Sequence, residues 1–90
     1  MDNLDELINM FEEAIRNKSH VVLDPYDYIL IMKLLDVKDA VKLYNLLATL
    51  EEEHIEEGVG EPFEIIVLYD GGMFRRILKA LSKYTGEKKS

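Results

Sequence analysis

The sequence predicts a small domain that is mainly helical and carries a small β-sheet. Three features of its 90 residues carry this prediction. Apolar residues recur at three- and four-residue steps in several segments, two short segments are rich in β-branched residues, and aspartates stand where helices should begin. With 48% apolar residues, a chain of this length can bury one modest core. We expect residues 1–86 to form a single compact domain and residues 87–90 to be a frayed tail.

The first part of the chain predicts two helices separated by a short strand. A helix is expected over residues 3–17, because its apolar residues fall on one stripe. After a turn, the β-branched run at residues 20–23 predicts a strand. Asp24 and Pro25 then suit the cap and the first position of a helix that runs to about Leu35. That helix is apolar nearly all round, so we expect it in the middle of the fold.

A third helix is expected to begin after Asp36 and to run into the acidic residues 51–53. Its broad apolar face is expected to hold Val37, Ala40, Val41, Tyr44, Leu47 and Leu50, with Leu43 and Leu46 beside it. The solvated side then holds Lys38, Lys42, Asn45 and Thr49. Asp39 is expected to share this solvated side with the lysines.

The last part of the chain predicts a strand and a helix. Glycines and a proline within residues 58–62 predict a turn region, and residues 63–69 form the clearest strand pattern. Residues 54–56 either pair with that strand as a hairpin or extend the third helix, and the sequence leaves both open. The last helix is expected over about residues 72–86. Its apolar stripe consists of Phe74, Ile77, Leu78, Leu81 and Tyr84.

Residues 34–58, with the sequence LLDVKDAVKLYNLLATLEEEHIEEG, resemble the helix-turn-helix and first wing strand of winged-helix proteins. Residues 35–37 match the turn and residues 50–55 match the entry to the wing. The strand expected at residues 20–23 also suits this superfamily. The resemblance covers roughly residues 3–70 and implies a winged-helix-like order of elements, α-β-α-α-β-β-α.

An alternative fold is a two-layer α/β unit in which strands 20–23 and 63–69 pair side by side. Its exposed sheet edge would favour dimerisation by sheet extension. In either fold the apolar stripe of the last helix needs a partner surface, inside the chain or across subunits. We therefore expect a homodimer.

The charge of the chain is unevenly distributed. The net charge is −7, with 17 acidic and 5 basic side chains in residues 1–70 but six basic and one acidic in residues 71–90. One side of the last helix carries Arg75, Arg76, Lys79 and Lys83. This basic stripe either pairs with the acidic residues 51–57 or docks an acidic partner or nucleic acid, and the two alternatives weigh about equally.

Composition also predicts the kind of cellular compartment in which the protein occurs. Cysteine is absent, which excludes disulfides and thiol chemistry and favours a reducing compartment. The acidic N-terminus lacks the basic start of a secretory signal, and the longest strongly apolar run, residues 28–32, is too short to span a bilayer. We expect a soluble cytoplasmic protein with no membrane contact. The absence of glutamine and the 32% of charged residues lean towards a thermophilic source.

No arrangement of residues indicates catalysis, a cofactor or a metal. No serine lies in a nucleophile motif, and neither His20 nor His54 has an evident arrangement of serine or aspartate around it. The acidic run at residues 51–57 contains one histidine and is expected to be a solvated edge rather than a metal site. Asp70, followed by two glycines, resembles the start of a phosphate loop, but its carboxylate is expected to cap the last helix instead.

These features favour a non-enzymatic regulatory module that acts through protein–protein contacts. An acidic protein of this size can also mimic nucleic acid and block a cation-rich partner. The winged-helix resemblance implies the alternative, a dimeric transcription regulator whose third helix contacts DNA. The candidate binding residues are Lys38, Lys42 and Asn45 on that helix and Arg75, Arg76, Lys79 and Lys83 on the last one.

Overall fold

Four helices and three short strands make up the part of the chain that is described, residues 3–48 and 64–89 of a computed structural model. The helices are α1 (Asn3–Asn17), α2 (Pro25–Leu34), α3 (Val37–Asn45) and α4 (Gly71–Lys89). The strands are β1 (Val21–Leu23), β2 (Leu47–Ala48) and β3 (Ile65–Val67). This order confirms the predicted fold class, mainly helical with a small sheet, and the predicted succession α-β-α-α-β-β-α.

The three strands form one antiparallel sheet in the order β1-β3-β2. Val67 of the central strand lies opposite Val21 on one side and Leu47 on the other. Val21 and Val67 are buried, whereas Val22 points to the opposite face and is exposed, as the two-residue period of a strand requires. The pairing that the alternative α/β fold required is therefore present, but it belongs to a three-stranded sheet among helices.

The core is built around α4, which contacts all three other helices, and it also includes buried residues of α1 and of the sheet. Phe74 on α4 is fully buried, and its ring meets the rings of Phe11 and Tyr69 edge to face, with centroids 5.1 and 5.5 Å apart. Ile77 and Leu81 continue this buried stripe along α4. The apolar stripe of the last helix is thus covered within the chain, so it gives no reason to expect a dimer through this helix.

Aspartate caps start three of the helices, as predicted. The side chains of Asp24, Asp36 and Asp70 each accept a hydrogen bond from the backbone N–H three residues later, at 2.8, 2.8 and 2.9 Å. Such a cap satisfies one of the otherwise free amides of the first turn and contributes about 1 kcal/mol. These local contacts fix where each helix begins.

Helix α3 is shorter than predicted. It was expected to reach residues 51–53, but it ends at Asn45. The N–H of Leu46 turns back to the carbonyls of the last turn, and the carbonyl of Leu46 accepts the N–H of Leu68 at 2.8 Å. Pairing with β3 therefore ends the helix and draws the following residues into β2. Residues 49–63 lie outside the described part, and with them the predicted turn region and the choice between helix and wing for residues 54–56.

Helix α4 is longer than predicted. It begins at Gly71 and continues to Lys89, so it includes residues 87–89, for which the sequence predicted a frayed tail. Gly86 lies inside it, and Thr85 donates its hydroxyl to the carbonyl of Leu81 at 2.9 Å, one turn earlier. Across residues 3–48 and 64–89, no helix has the length and apolar character needed to cross a membrane.

Candidate binding surface

Helix α3 turns a different side to the core than the sequence predicted. Leu43 is fully buried, whereas Val37, Val41 and Tyr44 are 81%, 55% and 64% exposed. The expectation that these three residues form the buried face was wrong. Two apolar stripes compete on this helix, and the stripe through Leu43 faces the core because the chain passes from Leu46 directly into the sheet.

Helix α2 is also less buried than predicted. Ile31 is its one fully buried residue, while Tyr26 and Ile29 are exposed. The expectation that α2 lies in the middle of the fold was therefore wrong, because only one side of it packs against α4 and the sheet. We call the exposed apolar residues of the two helices the α2–α3 surface, which consists of Tyr26, Ile29, Val37, Val41 and Tyr44.

Basic and amide side chains flank this surface on α3. Lys38, Lys42 and Asn45 are all exposed. Asp39 was expected on the same side, but its carboxylate turns to α4 and forms an ion pair with Arg76, with Nη1 2.8 Å from Oδ1. Only 17% of the Asp39 side chain is exposed. Along the whole of α3, all of which is described, the exposed charged side chains are therefore lysines.

Two titratable side chains of α2, those of Asp27 and Tyr28, are partly buried. Burial raises the pKa of Tyr28, and the electrostatic effect of Tyr44 raises it further. Burial also raises the pKa of Asp27, and the neighbouring Asp24 and Glu6 add to that effect. Because both side chains are partly buried, neither adds an exposed charge beside the lysines of α3.

The basic stripe of α4 is exposed over its described length. Arg75, Arg76, Lys79 and Lys83 all face solvent, and the other exposed residues between positions 71 and 86 are glycines and a serine. Arg76 joins this stripe to α3 through Asp39. The predicted pairing of the stripe with residues 51–57 concerns residues outside the described ranges, but for Arg76 an internal partner is present.

The start of α4 is closed by its own side chains. The Asp70 carboxylate accepts the N–H of Met73, so it occupies the place where an anion would bind. A Cβ at Gly71 would lie 2.8 Å from the hydroxyl of Tyr69 and 3.1 Å from a guanidinium nitrogen of Arg75. A side chain at this position would displace the ends of these two side chains, and glycine avoids that displacement. The prediction that Asp70 caps the helix is confirmed.

No resident cofactor site emerges from these residues. Within the described ranges, no three side chains of His, Cys, Asp or Glu lie together as metal ligands would. Searches against protein-family models, curated proteins and solved structures found no match. The α2–α3 surface and the cations beside it are the candidate functional features of the described residues.

Sequence reasoning found the cations of this surface but not its apolar residues. The signal that was available is the contrast between leucine and the other apolar residues of α3. Leu43 and Leu46 lie on one side, and Val37, Val41 and Tyr44 lie on the side that also carries the lysines. Because a stripe interleaved with Lys38 and Lys42 cannot be buried without those charges, the leucine side is the one that fits a core.

Proposed function

We propose that the chain is a small non-enzymatic regulatory module that acts by binding another protein through the α2–α3 surface. One observation carries the proposal. Eight large apolar side chains are exposed in the described part of the chain, and five of them belong to α2 and α3. Single exposed apolar residues are ordinary on a protein surface, but a concentration on one helix pair is typical of an interaction site.

The composition of the surface favours a protein over DNA. Tyrosine is enriched at protein–protein interfaces, and Tyr26 and Tyr44 both lie on this surface. Affinity for DNA comes largely from cations that neutralise phosphates, whereas α3 offers two lysines and the whole chain carries a net charge of −7. The valine side chains between the lysines gain free energy by leaving water, which an apolar partner surface allows and a phosphate backbone does not.

The alternative function is a dimeric winged-helix transcription regulator that binds DNA through α3. One observation favours it. Lys38, Lys42 and Asn45 are exposed together, and the ion pair with Arg76 removes Asp39 from their neighbourhood. Lysine can contact phosphate or guanine, and asparagine can bind adenine through two hydrogen bonds. The basic stripe of α4 would then supply further phosphate contacts.

A related form of the protein-binding proposal depends on the negative charge of α1 instead of the lysines of α3. Helix α1 exposes acidic side chains, which are Asp5, Glu6, Glu12 and Glu13. A cation-rich protein that normally binds nucleic acid would meet a comparable row of negative charge on this helix. Mimicry of nucleic acid would therefore depend on α1 rather than on the α2–α3 surface, and substitutions on the two surfaces separate the two forms.

Fluorescence anisotropy of a labelled mixed-sequence DNA duplex tests the choice between protein and DNA. We expect no binding at physiological salt for the wild-type protein, because its few cations are set in a net negative chain. Lys42→Glu and Tyr44→Ala serve as paired variants. Micromolar binding that weakens steeply with salt, collapses in Lys42→Glu and survives in Tyr44→Ala would overturn the proposal and establish the DNA-binding alternative.

A further inference from the structure

We infer that the α2–α3 surface binds an acidic amphipathic helix of another protein, an inference that rests on the proposed function and names the partner's chemistry. The observations behind it are the spacing of the apolar residues on α3, the sign of the charges beside them and the pairing of Asp39 with Arg76. Each limits the partner in a different way.

The apolar row on α3 has the spacing of a helix-binding site. Val37, Val41 and Tyr44 follow one another at steps of four and three residues, so they form one row along the exposed side. At a rise of 1.5 Å per residue the row extends for about 10 Å. A partner helix that lies along such a row contributes its own residues at steps of three and four. The row therefore fits about two turns of an amphipathic helix.

The charges that border the row select an acidic partner. Lys33 on α2 and Lys38 and Lys42 on α3 are exposed, and the acids on these helices, Asp27 and Asp39, are partly buried. The cap residues Asp24 and Asp36 are exposed as well, but each carboxylate accepts a backbone N–H of the helix that it starts. Asp39 is also neutralised by Arg76. A basic helix would meet repulsion from Lys38 and Lys42 beside the row, whereas glutamates that flank an apolar stripe would meet these lysines with favourable charge.

A second copy of the chain is a poorer occupant of this surface. In a two-fold dimer the same patch meets itself, so the lysines of one copy would approach those of the other. The acidic α1 of a second copy has the right charge. However, a contact between α1 and the α2–α3 surface is head to tail and leaves a free surface at each end. Such a contact would build chains rather than a closed dimer.

Synthetic peptides test the inference directly. Three fluorescein-labelled peptides of about 18 residues are compared, of which the first two carry an apolar stripe at steps of three and four. The first has glutamate beside the stripe, the second has lysine in the same places, and the third has the residues of the first in an order that abolishes the stripe. Each is titrated by anisotropy with the wild-type protein and with Tyr44→Ala, Lys42→Glu, Met10→Ala and Lys18→Glu.

The matched variants separate the surface from general effects. Met10 is an exposed apolar residue on α1 and Lys18 an exposed lysine directly after this helix, so neither belongs to the α2–α3 surface. We expect micromolar binding of the glutamate peptide alone. The affinity should fall about tenfold or more in Tyr44→Ala and in Lys42→Glu and change less than about twofold in the two controls. Circular dichroism verifies that all four variants keep the fold.

Several results would overturn the inference. They are the absence of glutamate-peptide binding, equal binding of the lysine or reordered peptide, and equal weakening by the control variants. Sedimentation of the protein alone adds one more, because a dimer that Val41→Asp dissociates would assign the surface to a second copy. Failure of the proposed function can be distinguished from failure of this inference, because it would appear as salt-sensitive binding of the DNA duplex. Failure of the inference alone would leave the duplex unbound.

Discussion

Replacing Phe74 by alanine should lower the free energy of unfolding by about 3–5 kcal/mol. The ring is fully buried on α4 and makes edge-to-face contacts with the rings of Phe11 and Tyr69. Truncation therefore removes apolar burial, leaves a cavity between α1 and α4, and removes two aromatic pairs. For a domain of this size each kcal/mol corresponds to roughly 4–8 °C in Tm. Urea or thermal unfolding followed by circular dichroism measures the change.

Phe74→Leu is the matched control for this prediction. Leucine refills most of the cavity and loses chiefly the aromatic pairing, which contributes about 0.5–1.5 kcal/mol per pair. If Phe74→Ala does not fold, Phe74→Leu still measures the contribution of the site. A loss below about 1 kcal/mol in Phe74→Ala would contradict the placement of this ring at the centre of the core, because core truncations of this kind cost far more.

Leu43→Ala should lower the free energy of unfolding by about 2–5 kcal/mol, whereas Val41→Ala should change it by less than about 0.5 kcal/mol. Both residues lie on α3, two positions apart, but Leu43 is fully buried and Val41 is more than half exposed. The pair of variants therefore reports which side of α3 faces the core. Urea unfolding of both variants under one set of conditions measures the difference.

The opposite result would reverse the orientation of this helix. If Val41→Ala cost as much as Leu43→Ala or more, the valine side would be buried, as the sequence alone predicted. The α2–α3 surface would then lose its central residues. Lys38→Ala, on the same exposed side, controls for changes in helix propensity and should alter the stability only slightly.

The beginnings of the helices could be predicted because their signals are local. Asp24, Asp36 and Asp70 each reach an amide only three residues away, so the sequence alone shows both partners. A strand was predicted over residues 63–69 for a similar reason, since its β-branched residues stand in one short run, and the observed strand occupies residues 65–67 of it. These elements in their order were sufficient to predict the fold class.

The features that were missed depend on residues far apart in the chain. The end of α3 is set by pairing of Leu46 with Leu68 across the sheet. The ion pair between Asp39 and Arg76 joins residues 37 positions apart. Neither partner can be chosen from local spacing, because the basic stripe of α4 offers four equivalent cations. The side of α3 that faces the core follows from the same long-range packing.

The candidate binding residues show the same division. Lys38, Lys42 and Asn45 were expected on the solvated side of α3, and the structure exposes all three. The apolar residues beside them were expected in the core, because apolar side chains usually leave water. Their exposure becomes visible only once Leu43 and Ile31 are seen to fill the core from the same two helices. The prediction of burial from sequence therefore fails at the surface where binding is proposed, because that surface keeps apolar residues exposed for a partner.

Site-specific photo-crosslinking tests the central claim, that the α2–α3 surface contacts a protein partner, most directly. A benzophenone side chain replaces Val41 in one form of the protein and Met10 on α1 in the control form, and both are irradiated in cells of the source organism. We expect position 41 to give a covalent adduct with a second protein chain, Tyr44→Ala to reduce that adduct, and position 10 to give none. Adducts from position 10 alone, or no protein adduct from position 41, would contradict the claim.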